Sequence, residues 1–321
     1  MIEAPILIIG CPRSGTTLLQ YCLSVHPEVW HLRAESHAIL EGPFHPARSG
    51  YESNRVTAEA LTEGQSEALR ARFYAAAMNL SRVVSDPARL LGAETPVARL
   101  FSRLSAAALG RLSRVAKPAR IRFVEKTPKN TLRVPMLARL FPDARFLWLR
   151  RRAEPNIRSL VAGWRAGPPL GRFWRPRFAT YPVAGELRLR DYRGRWWKFA
   201  LVPGWRDLRG RDVADVATWQ YYQCNRFARA DLAAIERERV LSVQFEEFID
   251  EPVEYMRQIL EWAGLPPSHA VDAFVRRLPR VNQTSSRPAR GAAGASHDAE
   301  VAAALERLPA VRELERELTA R

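Results

Sequence analysis

Two glycines with four residues between them, Gly10 and Gly15 in GCPRSGTT, have the spacing of a loop that cradles phosphate. An apolar run, Ile6-Leu7-Ile8-Ile9, enters this loop, and a helix-periodic stretch (Leu18, Leu19, Cys22, Leu23) leaves it. A strand, a tight turn and a helix N-terminus together present backbone N–H groups to an anion. Where a nucleotide triphosphatase carries lysine after the second glycine, this chain has Thr16, and the positive charge sits inside the loop on Arg13. No acidic strand downstream offers to hold magnesium, which disfavours triphosphate hydrolysis. A tyrosine-phosphatase loop needs an arginine six positions after its cysteine; counted from Cys11 that place holds Thr17, which excludes that chemistry. Pro12, Arg13, Ser14, Gly15, Thr16 and Thr17 are therefore candidate anion-binding residues. A second pair, Arg151 and Ser159, stands just past another strand-like run (146–149) and on the helix pattern after it. An arginine fork plus a hydroxyl suits a terminal phosphate, and the carboxyl edge of a parallel sheet is where such a pair converges. Alone, the pair would read as a solvated arginine and a helix-surface serine.

The elements that must position these groups alternate. Helical periodicity covers 55–83 and 97–115; RIRFVEKTPKN reads as a short strand ending in a Thr-Pro turn; 132–164 reads as helix, turn, strand, loop and helix. A helix over 212–236, the strand RVLSVQF and a helix framed by Glu251-Pro252 and Gly264 follow. Strands alternating with helices imply an α/β fold of three α/β/α layers around a central parallel sheet. The stretch 164–211 breaks the rhythm with Trp164, Trp174, Trp196, Trp197 and Trp205 among arginines, and is expected to be an insertion or lid over a site, or else a satellite core. Residues 282–299 read as a flexible loop and 300–321 as a C-terminal helix, all within one domain spanning 1–321.

Composition bounds the partners. The chain has 321 residues, a hydrophobic content of 47%, and no apolar run long enough to span a bilayer. The core strand begins within five residues of Met1, leaving no room for a signal peptide, and Cys11, Cys22 and Cys224 have no metal or disulfide spacing. A reduced, cytoplasmic setting is the expectation. The net charge of +16 invites nucleic acid, yet the only lysines are Lys117, Lys126, Lys129 and Lys198. The arginine and alanine excess looks like a coding-composition bias, and no nucleic-acid-binding motif accompanies it.

Three ordered blocks, PILIIGCPRSGTTLLQYCLSVHPEV, VEKTPKNTLRVPMLARLFPDARFLWLRRRAEPNIRSL and RVLSVQFEEFIDEPVEYMRQILEWAGLP, resemble the sulfotransferases that use 3′-phosphoadenosine 5′-phosphosulfate (PAPS). The likeness is to the branch with bacterial enzymes and protein-tyrosine sulfotransferases. The resemblance implies a P-loop-like α/β fold, the 10–17 loop on the 5′-phosphosulfate, and Arg151 with Ser159 on the 3′-phosphate. It implies Arg13 and Lys126 as catalytic cations and no metal, because cationic side chains neutralise the leaving phosphate. Glu35 stands about one residue from the place of a catalytic glutamate and is expected to be the general base. His31 and His37 stay in play because other sulfotransferases use histidine; His26, in a helix-ending turn, is expected to be structural. Phe245 replaces a tyrosine that relatives often hold near the nucleotide. Ser286 and Arg287 match a closing loop whose usual tryptophan is absent here.

The resulting expectation is transfer of a sulfuryl group from PAPS to a hydroxyl, or less favourably an amine. A P-loop kinase using ATP and magnesium, or a non-catalytic nucleotide- or nucleic-acid-binding protein, are the rival readings. The tryptophans and arginines of 164–211 suggest a flat or anionic acceptor, such as a phenol, glycan, glycolipid, natural-product scaffold or peptide tyrosine. Oligomeric state is not legible.

Overall fold

The computed structural model describes residues 1–79, 117–166, 180–278 and 292–319. Five parallel strands form one sheet in the order β2-β3-β1-β4-β5, where β1 is Ile2–Ile9, β2 Val29–His31, β3 Ile121–Lys126, β4 Arg145–Arg150 and β5 Val240–Gln244. Ile6, Leu7, Ile8 and Ile9 are buried on both faces of the sheet, which is why β1 reads as a continuous apolar run and not as an alternating one. With β1 between β3 and β4, the chain leaves the centre of the sheet to opposite sides, and the carboxyl ends around β1 form a crevice. Ile8 pairs with Lys126 and Ile9 with Trp148, so the ends of β3 and β4 flank the loop that leaves β1.

Among the described residues the helices are α1 (Thr16–Ser24), α2 (His37–Phe44), α3 (Glu63–Ala76), α4 (Val134–Leu140), α5 (Ala153–Arg165), α6 (Val213–Leu232), α7 (Phe245–Asp250), α8 (Pro252–Ala263), α9 (His269–Arg276), α10 (Ala292–Arg307) and α11 (Ala310–Thr319). Several boundaries differ from expectation for local reasons. The helix expected from residue 55 begins at Glu63, where Thr62 and Gln65 form a reciprocal capping box. The helix framed in the sequence by Glu251-Pro252 and Gly264 is α8, opened by Pro252, and the residues between it and β5 form the separate short helix α7. The loop expected over 282–299 is helical from Ala292 onward, an alanine-rich stretch whose helix propensity outweighs Gly294. The C-terminal helix is broken at Leu308-Pro309. The periodic stretch 97–115, Trp174, and Ser286 with Arg287 lie outside the described residues.

Long cationic side chains close helix C-termini from other parts of the chain. Arg122 and Arg145 donate to the last carbonyls of α8, at Ala263 and Trp262, and Arg150 to Leu318 in α11. Arg70 donates to Leu140 of α4 at 3.2 Å, and the Lys198 ammonium to Trp164 at 2.6 Å and Gly163 at 3.1 Å at the end of α5. Each satisfies carbonyls that a helix end leaves orphaned and opposes the negative end of its dipole.

The described part of 164–211 packs as a satellite core. Trp164, Trp197, Trp205 and Tyr181 are buried against α5 and α6, and the rings of Trp164 and Trp197 meet edge to face at 5.2 Å. Their indole N–H groups are satisfied internally, Trp164 by Gln220, Trp197 by the Ala200 carbonyl and Trp205 by the Tyr51 carbonyl. These three tryptophans hold the segment down and show no open ring face to a ligand.

Candidate active site

The loop from Gly10 to Gly15 is fixed by close packing. A Cβ on Gly10 would come within 2.7–2.9 Å of Thr16, Ser14 and the Leu149 carbonyl. Gly15 takes φ +98 at the start of α1, and a Cβ there would come within 2.3 Å of the Phe245 ring. Only glycine fits both the left-handed backbone and the space. Gly15 has no side chain to cap α1, so the N-terminal amides of that helix meet no side-chain acceptor. Ser14 is buried, and its Oγ has no hydrogen-bond partner. Arg13 also takes a left-handed backbone, φ +72, which turns its side chain outward from the loop.

Arg13 Nε donates to Ser159 Oγ at 3.1 Å, and Arg151 donates to the Arg13 carbonyl at 2.8 Å. The two expected anion sites therefore meet, with Arg13 joined to the Arg151–Ser159 pair across 146 residues of sequence. Arg151 lies over the Phe245 ring at 4.8 Å, so Phe245 touches both the loop and the second cation. Burial presses the Arg151 guanidinium below its usual pKa; Glu246 opposes this, and the neighbouring charges of Arg13 and Arg158 add to it. Like charges held together with a buried, unpartnered Arg151 Nε suit an anion between them. Two residues that the sequence reading passed over set this geometry. Tyr221 donates to the Arg151 carbonyl at 2.9 Å, and Asn156 to the Pro12 carbonyl at 2.9 Å, tying α6 and α5 to the loop.

Lys126 ends β3, and its Nζ donates to Glu35 Oε1 at 2.6 Å. The local cause lies in EKTPKN. Buried Glu125 accepts from Thr127 at 2.6 Å and from Asn130 at 2.8 Å, which folds the chain back after β3. Thr127 Oγ1 then accepts from the Ser36 N–H at 2.8 Å and lies 3.0 Å from its hydroxyl. The segment carrying the base is thus stitched to the segment carrying the cation. The signal was present in the sequence as five polar residues around a proline at a strand end, too polar for a plain turn.

Glu35 Oε2 meets His37 Nε2 at 2.8 Å. Burial pushes the Glu35 carboxyl up, but the hydrogen bond from His37 and the charge of Lys126 overcome it and hold the group down at about 2. Behind this pair, on α2, Glu41 is buried with Arg133 at 2.8 Å and Lys129 at 3.6 Å, and its Oε2 accepts from Tyr181 at 3.1 Å. His31 Nδ1 meets the Leu32 carbonyl at 2.8 Å, and its buried Nε2 has no hydrogen-bond partner. His26 is structural as expected, accepting from the Glu28 N–H and donating to the Pro266 carbonyl. Cys11 is buried beside Cys224, and burial first, then the hydrogen bond with Cys224, pushes its thiol well above the usual range. A thiol so protected is no nucleophile.

A parallel sheet, a phosphate-type loop after its central strand, and a cation paired with a carboxylate at the same edge narrow the family. The chain is similar to the sulfotransferase domain from the curacin biosynthetic pathway (16% identity, 83% of this chain and 75% of that chain, TM-score 0.42). It is also similar to a Mycobacterium avium sulfotransferase (19%, 86% and 67%, TM-score 0.43) and to one from Alicyclobacillus acidocaldarius (16%, 96% and 98%, TM-score 0.41). No curated protein matches it. Among the described residues no helix is long and apolar enough to cross a membrane. The model of the sulfotransferase family matches residues 5–179, more than half of the chain and all of the loop, Glu35, Lys126, Arg151 and Ser159, and the protein belongs to that family.

Proposed function

We propose that the protein moves a sulfuryl group from PAPS to an acceptor hydroxyl by in-line transfer. The observation that carries this reading is the Lys126–Glu35 pair at 2.6 Å beside a loop that offers uncapped helix amides. A cation for the leaving phosphate and a carboxylate for the acceptor's proton are what such a transfer needs. Two adjoining anion sites, joined through Arg13, fit a donor with phosphate groups at its 5′ and 3′ positions. The α1 amides with Ser14, Thr16 and Thr17 hold the first group, and Arg151, Ser159 and Arg13 the second. When bound, the donor supplies the sulfuryl group and leaves as adenosine 3′,5′-bisphosphate.

The residues divide the work by charge. Lys126 has three N–H donors and turns them from Glu35 toward the 5′-phosphate as negative charge grows there. Glu35 at about 2 is ionised but weakly basic while Lys126 and His37 both hold it. Withdrawal of Lys126 raises its basicity, and Oε1 then takes the acceptor's proton as the new sulfur–oxygen bond forms. The base is thus armed by occupation of the donor site. Buried, unbridged cysteines at 11, 22 and 224 suit a reducing, cytoplasmic setting. The acceptor is one of the flat or anionic molecules named above.

Thermal-shift measurements with adenosine 3′,5′-bisphosphate, ATP–magnesium and duplex DNA test the donor, followed by a labelled-PAPS screen across phenols, glycans, lipids and peptides. Stabilisation by the bisphosphate is expected, at about 2.7 kcal/mol when its concentration is about 100 times Kd. Stabilisation by ATP–magnesium or DNA alone would overturn the proposal.

A further inference from the structure

His26, His31 and His37 differ in what their rings do. His26 has both nitrogens on backbone groups, and His31 bonds the carbonyl of the next residue. His37 bonds the Glu35 carboxylate through Nε2 at 2.8 Å, while its buried Nδ1 has no hydrogen-bond partner. An ionised carboxylate only accepts, so Nε2 carries the hydrogen and Nδ1 is a bare lone pair in the neutral ring. Glu41, one helical turn along α2, faces Nδ1 at 3.9 Å, too long for a hydrogen bond. Glu41 cannot move closer, since Arg133, Lys129 and Tyr181 hold it in a fully buried cluster.

We propose that His37 is a positioning residue: its Nε2–H holds one oxygen of Glu35 so that the other, vacated by Lys126, meets the acceptor's hydroxyl. This rests on the reading of Glu35 as the proton acceptor. The arrangement gives the carboxylate one fixed and one exchangeable partner. Lys126 leaves for the donor, whereas His37 belongs to the first turn of α2 and stays.

The same geometry makes the ring a brake at low pH. The charged groups facing it are Glu35, with Lys126 on its far oxygen, Glu41 on the same helix, and Lys129 and Arg133 from the segment after β3. Burial first, and the charge of Lys129, lower the His37 pKa from 6.5 against the pull of Glu35 and Glu41, so the ring is neutral at pH 7. When Nδ1 takes a proton, the imidazolium grips Glu35 harder and removes its basicity. Turnover therefore falls with acid as His37 titrates.

The test compares wild type with H37Q, H37A and E35Q. It measures kcat against pH with labelled PAPS, and the Glu35 titration in the free protein by carbon-13 carboxyl resonances. Glutamine keeps a donor near the Nε2 position and does not titrate. H37Q is expected to retain kcat within about 3-fold and to lose the acid limb. H37A is expected to lose about 10- to 100-fold in kcat with little change in donor KM, the scale of a misplaced reacting group, and its Glu35 midpoint rises. An H37A enzyme with the wild-type pH profile and Glu35 midpoint would overturn the proposal while an inactive E35Q leaves the reading of the base standing. H37Q as inactive as H37A would make His37 the base instead. Full activity in E35Q would remove the reading beneath the proposal, and the proposal with it.

Discussion

Glu35 has two oxygens and three claims on them: the Lys126 ammonium, the His37 ring and, in the proposed reaction, an acceptor hydroxyl. A carboxylate held near 2 cannot be strongly basic, so the proposed chemistry depends on which partner lets go. Replacing Lys126 with alanine is expected to lower kcat by about 100-fold or more, the scale of losing one charge-stabilising donor. Arg13→Ala should cost a similar factor in kcat/KM, with part of the loss in donor KM because Arg13 reaches Ser159. Arg151→Ala should act mainly through donor KM, and steady-state kinetics against PAPS separates the three. Wild-type kcat in Lys126→Ala and Arg13→Ala would reject their roles, and a wild-type donor KM in Arg151→Ala would reject its role. Most of these side chains were legible one by one, from the loop spacing and the resemblance. Their meeting was not: Lys126 and Glu35 are 91 residues apart, and only the pairing of β2 with β3 and the Ser36–Thr127 stitch bring them together. Glu41, Lys129 and Tyr181 were missed because a lone charged residue in a sequence reads as solvated surface.

Among the elements, the loop and α1 were plain in the sequence, since an apolar strand, paired glycines and a periodic helix leave few alternatives. The partner of the loop was less plain. Phe245, seen in sequence only as a substituted tyrosine, lies against Gly15 and under Arg151, so it joins β5 to the phosphate loop by packing. Gly15→Ala should therefore fail for two separable reasons: left-handed strain of about 1–2 kcal/mol, and collision with the ring. The double variant with Phe245→Leu should recover part of the lost bisphosphate affinity, measured by calorimetry, and none of the strain. Full recovery would deny the strain; no recovery would deny the collision. The helix ends were the least legible elements, as α10 shows, because alanine content and glycine content pull the same stretch in opposite directions and packing decides.

At the scale of the whole molecule, the cost of the buried ionic cluster should appear as a pH dependence. Burial lowers the Lys129 pKa from 10.5 to about 7, with Glu41 opposing and Arg133 adding to the fall. Between those values the unfolded chain binds a proton that the folded chain does not, so stability rises with pH across the window. Denaturant midpoints of wild type and Lys129→Met from pH 7 to 9 should diverge in favour of wild type, by at most about 1.4 kcal/mol per pH unit. Parallel curves would mean that Lys129 stays charged. The net charge of +16, which first suggested a polyanionic partner, is partly spent inside the fold. Guanidinium groups from β3, β4 and α3 reach the ends of α8, α11 and α4. A gene recoded from arginine to lysine at those positions would keep the same charge, the same length and nearly the same hydropathy. It would lose the planar five-donor fork from several helix ends at once. An arginine-rich composition is here part of the architecture, and a chain with lysine at those positions would need another way to finish those helices.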